Sequence, residues 1–422
     1  MIPVELQSML FGEMLPNTIQ ILIAISPIFL AIILYVLFWP LWVNYVRSDF
    51  IANMKYTLLE IKLPKEMLKS PLSMELVLNA LHNTSDGSNF AQFWKGEKRP
   101  TYSLELVSVE GVVKFFIRTE DRRKNGVMAA LYSQFPGIEV HEAPDYTHGI
   151  HFDPKESKLW GADFKFTQKN DVLPIKTYVD YGLDKDPKEE FKVDPMTPMI
   201  EFLGSVGPNQ QVWFQFMIRA HTAEQAKPGH LWKKTDAYKD QAQEFVNKLM
   251  VRDAKTRIVG KKDKETGRVI PPTLTDGEKE LIKAVERNMG KLAFDVGIRA
   301  VYIGKKDVFD KPNGVGGILS AFKHFSSENF NGIKQNGDKY SAKFSGLPWE
   351  DYKKYRENKQ CRLVLEAYKR RSFFYEPFTG TPLVLSTEEL ATLYHFPGAV
   401  ASTPNLNRIP SKKSQAPANL PI

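Results

Sequence analysis

Cysteine is nearly absent: the 422 residues contain one, Cys361. A lone thiol excludes an intramolecular disulfide and any cysteine-rich zinc site, and it accords with a reducing compartment. Phosphate-binding signatures are missing as well. No G-x-x-x-x-G-K-[ST] occurs; the nearest pieces, Val259-Gly-Lys-Lys262 and Tyr302-Ile-Gly-Lys305, lack the first glycine and the hydroxyl that meets Mg²⁺. There is no G-x-S-x-G nucleophile turn. These gaps nominate no catalytic residue and no cofactor, so the chain reads as non-enzymatic. The most informative absence is of charge. From Ile21 to Val43, 23 residues carry none, and no Lys or Arg precedes Arg47.

A helix rises about 1.5 Å per residue, so this run is long enough for the ~30 Å hydrocarbon core of a bilayer. A cleaved signal peptide has a basic start, a shorter apolar core and small residues at its exit. Here the start is acidic (Glu5, Glu13) and the exit is bulky (Phe38-Trp-Pro-Leu-Trp42). The pattern predicts a short N-terminus, 1–20, and an uncleaved transmembrane helix over 21–45, kinked at Pro27. Trp39, Trp42 and Tyr45 fall where an interfacial aromatic belt anchors a span, with Arg47 just beyond. The positive-inside rule places the N-terminus outside and the body in the cytoplasm. All 57 basic residues lie from Arg47 onward, so the body is more basic than the chain's formal +8. Such a surface suits anionic lipid, nucleic acid or an acidic partner.

The body predicts an α+β fold with two ferredoxin-like modules and a helical C-terminal segment. In the first module, 54–146, Tyr56–Leu63 alternates as a half-buried strand does. Ser70-Pro71 caps a helix bearing Met74, Val77, Leu78 and Leu81, and two strands meet at Glu110-Gly111. A helix near Arg122–Phe135 and a strand at Ile138–Ala143 complete the order β-α-β-β-α-β. The second module, 160–338, repeats it. Its expected parts are a strand at Pro174–Asp180, a helix opened by Asp194-Pro195 and a strand at Gln210–Ala220. A strand at Phe294–Ile303 and a helix near Gly314–Phe325 follow. An insertion, 222–275, interrupts it, and Thr275-Asp-Gly-Glu278 has capping-box spacing. Residues 346–398 read as a helical segment with a second capping box, Ser386-Thr-Glu-Glu389. The tail, 399–422, is proline-rich linker.

Other candidate chemistry is weighed against plainer roles. The insertion loop Lys255–Arg268 is a solvated charge run first; Lys261, Lys262, Lys264 and Arg268 are the weak candidates for contact with nucleic acid or anionic lipid. His141, Glu142, Asp145, His148, His151 and Asp153 are metal-ligating types. They sit in a proline- and glycine-bearing loop without a helical His pair, which favours a polar connection over a metal site. Asn313-Gly-Val-Gly-Gly317 opens a helix and reads as a flexible joint before an anion cradle. Phe115, Phe116, Trp213, Phe214 and Phe216 lie on strands, where core packing outweighs base stacking.

Several stretches resemble the N-terminal region of bacterial conjugation-type ATPases of type IV secretion systems. They are Tyr56-Thr-Leu-Leu-Glu-Ile61, Phe115-Phe-Ile-Arg-Thr119 and Gln134-Phe-Pro-Gly-Ile-Glu-Val140, then Phe294-Asp-Val-Gly-Ile-Arg-Ala-Val-Tyr-Ile303 and Leu385-Ser-Thr-Glu-Glu-Leu-Ala-Thr-Leu-Tyr-His-Phe-Pro397. The resemblance runs from about residue 50 to 422 and consists of structural phrases. It implies a membrane-anchored α+β region leading through segments like Thr403-Pro-Asn-Leu406 and Pro417-Ala-Asn-Leu-Pro421 into a hexameric translocating motor. No motor signature is present here, so no nucleotide-binding residue carries over. The expected function is a non-catalytic platform at the bacterial cytoplasmic membrane that gathers copies of itself or a separate P-loop motor ATPase. The alternative is a membrane-tethered nucleic-acid-binding module that uses the basic insertion and the basic helical stretch Trp349–Phe374, although no motif supports it.

Overall fold

The computed structural model describes residues 15–64, 67, 69–85, 87–168, 171–184, 193–223, 225–226, 234–250, 261–262, 269–270, 274–337, 340–342, 348–398 and 408–409. The chain divides into two compact units, Met1–Met54 with Ser85–Lys98, and Lys55–Thr84 with Arg99–Ile422. The first is built on helix α1, Leu15–Asn53, which is continuous through Pro27 and Pro40. Every described side chain from Ala24 to Phe38 is exposed. A helix apolar all round has no polar face to turn to water, and α1 is long and apolar enough to cross a membrane.

The second unit is an open, mainly antiparallel sheet with helices. Strand β1 (Tyr56–Pro64) leads to α2 (Pro71–Leu81), where the Ser70 hydroxyl accepts the Leu72 N–H at 3.2 Å. Met74, Val77, Leu78 and Leu81 of α2 are buried at the spacing the sequence predicts. The chain then makes a short helix, α3 (Asn89–Trp94), that belongs to the first unit. Strands β2 (Thr101–Val109) and β3 (Val112–Glu120) turn at Glu110-Gly111, whose φ angles of 53° and 87° match the strand twist. Helix α4 (Lys124–Gln134) and strand β4 (Glu139–Ala143) follow. The resulting order is β4-β1-β3-β2, antiparallel throughout.

The same order recurs. Strand β5 (Ser157–Phe166), helix α5 (Thr197–Gly204) and strand β6 (Gln210–Ala220) come first. The insertion holds two-residue strands β7 (Gln225–Ala226) and β8 (Lys234–Thr235), helix α6 (Ala237–Leu249), and β9 (Lys261–Lys262) paired with β10 (Val269–Ile270). Helix α7 (Asp276–Met289) begins at the predicted capping box and packs on α6 through Val246, Ile282 and Val285. Strand β11 (Ala293–Lys305), helix α8 (Lys311–Ala321) and strand β12 (Ile333–Gln335) complete the series as β12-β5-β11-β6. Antiparallel pairing of β2 with β6, from Thr101↔Arg219 to Val109↔Gln211, joins the two sets of strands.

Beyond them come α9 (Tyr355–Arg370), β13 (Leu383–Ser386), α10 (Thr387–Leu393) and β14 (Arg408–Ile409). Strand β13 lies on β11, and β14 pairs with β1 as the sheet's parallel contact. One sheet face is sealed by α2, α4, α5, α8 and α10 around Leu59, Leu104, Phe214, Phe216 and Ile298. The other carries α9 and the loop after β4, packed on Phe116, Trp213 and Val301.

The sequence reading misplaces the first strand of the second set. Pro174–Asp180 is not a strand; that role falls to β5, and the series starts at Ser157 rather than 160. Residues 174–180 instead thread across α10, whose side chains take their backbone donors. The Ile175 N–H reaches Glu389 Oε1 at 3.0 Å, and the Tyr178 N–H reaches Thr392 Oγ1 at 3.0 Å. Thr177 closes on the Asp180 carboxylate. Helix α5 also starts later than Asp194-Pro195 implies, with Pro198 in its first turn; the Asp194 carboxylate caps the Met196 N–H and pairs with His395.

Candidate functional site

Helix α1 places its aromatic side chains as a collar at the C-terminal end of the apolar run. Trp39 and Trp42 are half-buried and Tyr45 is exposed. Tyr35 stacks on Trp39 and Phe38 on Trp42, at centroid separations of 5.7 and 6.1 Å, and Tyr45 lies tilted against Trp42 at 6.3 Å. What shields the two tryptophans is α3: Phe93 lies 5.5 Å from Trp39, and Trp94 lies 5.5 Å from Trp42. Ile21 lies in the described helix, Pro27 is exposed on it, and Val43 and Arg47 are half-buried.

In the body, buried charge fixes the end of α9 over the sheet. Glu105, at the centre of β2, accepts from Ser103 at 2.7 Å, Tyr146 at 2.8 Å, Gln215 at 3.2 Å and Arg371 at 2.9 Å. Arg371 also grips Asp145, at 3.0 Å from Oδ1. Burial opposes ionisation of Glu105, but the Arg371 guanidinium outweighs it and lowers the carboxyl below its ordinary value. A second cluster holds α10. Glu388 meets Arg287 at 2.9 Å, Lys291 at 3.1 Å and the Thr177 hydroxyl at 2.6 Å, and Lys291 meets Glu75 at 2.7 Å. These groups are committed to one another. They fix architecture and offer no free acid or base.

A cleft of about 960 Å³ opens between the loop before β5, the turn after β11 and the start of α9. Its floor includes Trp160, Phe309 and Cys361, and its wall carries Lys155, Lys158, Lys306, Lys311 and Lys354 against Asp307, Asp310 and Glu357. Burial pushes the Cys361 thiol up to about 12, so it stays protonated and unreactive. Nothing in the sequence pattern points to this cleft, because its first wall lies some 150 to 200 residues before the other two and only the fold brings them together.

Residues 51–408 match the profile of a domain of unknown function (DUF8128). The chain belongs to this family. No curated protein matches it. The matched span begins in the last turn of α1 and ends on β14, so the DUF8128 domain takes in both sets of strands and the α10 cluster. It leaves Ile21–Val43 outside.

The other sequence candidates scatter over this DUF8128 domain. Lys261 and Lys262 form β9 on the β9–β10 ladder, whereas Lys264 and Arg268 lie outside the described residues. Within the His141–Asp153 loop, His141 pairs with Glu139, Asp145 with Arg371, and Asp153 with the Lys155 N–H. Among the described residues no group of three or more His, Cys, Asp or Glu is placed to hold a metal. Asn313–Gly317 lies inside α8, whose N-cap is the acidic Asp310, a poor neighbour for an anion. Its glycines serve packing: a Cβ on Gly314 would strike Tyr302, and one on Gly317 would strike Phe202. Phe115, Phe116, Trp213, Phe214 and Phe216 are all buried and present no stacking platform.

Proposed function

We propose that the chain is a single-pass protein of the bacterial cytoplasmic membrane, N-terminus outside, whose cytoplasmic body is a non-catalytic docking platform. The machine it serves is a type IV secretion-like translocase. Two ferredoxin-like modules side by side form the platform, a reading supported by the strand order that recurs on either side of the β2–β6 pairing. The observation that carries the reading is α1, which is long and apolar enough to cross a membrane and whose side chains from Ala24 to Phe38 are exposed. Hydrocarbon is the solvent that such a helix matches.

The lysine-walled cleft is the docking point. Its charge complements an acidic segment of a separate P-loop motor ATPase, and its aromatic floor supplies apolar contact. Affinity purification of the full chain from detergent-solubilised membranes tests this. A P-loop ATPase is expected to co-purify, and to be lost from a Lys155→Glu/Lys158→Glu/Lys306→Glu variant. Wild-type protein that brings down no such ATPase contradicts the docking role, and ATP hydrolysis by the purified chain alone contradicts the non-catalytic one.

A further inference from the structure

Helix α3 packs on α1 and still leaves much of Phe90 and Trp94 exposed. Toward α1 it presents Ala91, which is buried, and Phe93, whose carbonyl accepts the Trp42 indole N–H at 3.2 Å. Phe90 stands away from it, 62% exposed, and Trp94, one helical turn on, meets Trp42 edge-on yet stays 55% exposed. No charged residue occurs from Ser88 to Trp94; Lys95, Glu97 and Lys98 follow at once. The loop is built to hold this position. The Ser88 hydroxyl caps the Ala91 N–H at 3.2 Å. Gly96, at φ +72°, lies so close to α1 that a Cβ there would sit 2.5 Å from the Val46 carbonyl oxygen.

Depth along α1 tells what covers the outer face. Trp42 stands 21 residues beyond Ile21, about 31 Å along the helix, which is one hydrocarbon thickness from the start of the apolar run. Elements fixed to Trp39, Trp42 and Val46 therefore sit at headgroup level, where aromatic rings are favoured. Charge sets in on both elements at this height: Arg47 on α1 and Lys95 after α3. We propose that α3 is a second membrane anchor, an interfacial wedge that inserts Phe90 and Trp94 among the lipid headgroups beside the span. It resists tilt and rotation of α1 and makes the α2–β2 connection a lipid-contacting element. This rests on the reading of α1 as a span.

Depth-dependent quenching in reconstituted vesicles tests both readings separately. In the full chain carrying Cys361→Ser, an environment-sensitive NBD label is attached at Phe90→Cys, at Trp94→Cys or at Leu34→Cys. Phe90 meets no ring of α1 among the described residues, so its replacement leaves the α1–α3 contact intact; Trp94→Cys gives up the Trp42 ring contact and keeps those of Phe93 and Gly96, so the label at 90 decides. The labels at 90 and 94 are expected to show blue-shifted emission and stronger quenching by lipids with a nitroxide near the glycerol than near the chain end; the label at 34 shows the reverse order. Labels at 90 and 94 that neither lipid quenches, beside a quenched label at 34, overturn the wedge and leave the span standing. An unquenched label at 34 overturns both. Gly96→Ala, which expels α3 from α1, is expected to lower quenching at 90 and 94 while sparing 34; unchanged quenching there contradicts the role given to that contact.

Discussion

Arg371 shows how single residues hold this chain together. It stands just after α9 in a left-handed conformation, φ 50°, and joins two carboxylates from segments remote in sequence, the buried Glu105 and the half-buried Asp145. Arg371→Ala leaves Glu105 uncompensated and is expected to cost roughly 3–5 kcal/mol, read as a lowered denaturation midpoint of the full chain in detergent. A Glu105→Leu/Arg371→Met pair recovers only part of that, because the Ser103 hydroxyl loses its acceptor and Asp145 its guanidinium partner. Burial would raise Asp145, but Arg371 outweighs it and brings the carboxyl down to about 2. Its contribution is complete above the ordinary value of 3.8 and disappears as pH falls toward 2. His221 works in the opposite sense. Burial lowers it, yet the Asp295 carboxylate at 2.6 Å prevails and lifts it above 6.5. Stability from His221 is full below pH 6.5 and fades as pH rises through the folded value. His221→Asn is expected to flatten that alkaline loss and leave the acid limb unchanged in urea midpoints measured across pH.

Among the elements, α10 has the most to explain. All seven of its residues are buried, its capping box is internal, and 174–180 depends on it for backbone partners. Burial lifts the Glu389 carboxyl to about 7 despite the N–H groups of Ser386 and Ile175. A raised carboxyl keeps its proton in the folded state, so stability falls between the ordinary 4.5 and about 7. Glu389→Gln is expected to remove that slope; a slope that persists in the variant assigns it to another group. This element also marks what was legible in the sequence. Capping boxes, the Ser70-Pro71 start and the Glu110-Gly111 turn were readable because their partners lie within four residues. Strand β5 was not, because Gly161 and Asp163 break its pattern for distant reasons. Gly161 makes room for Val364 of α9, and Asp163 binds Arg299 at 2.6 Å. Ile175 and Tyr178 are buried because 174–180 packs on α10 rather than in a ladder. The lysine-walled cleft had no local signal at all.

At the scale of the molecule, two features of the chain meet: an apolar helix long enough to cross a membrane and a strand order used twice. The first was visible from composition alone, since 23 uncharged residues have few other uses. The second was visible as a repeat of helix spacing, Met74-Val77-Leu78-Leu81 and Met199-Phe202-Leu203-Val206, although one strand was misplaced. Collar, wedge and platform all depend on α1 residing in a bilayer. Alkaline carbonate extraction of membranes from cells expressing the full chain tests that claim most directly, since carbonate strips proteins held by charge and spares those that span. The chain is predicted to stay in the membrane pellet and to be released by detergent. Recovery of the intact chain in the carbonate supernatant would contradict the account.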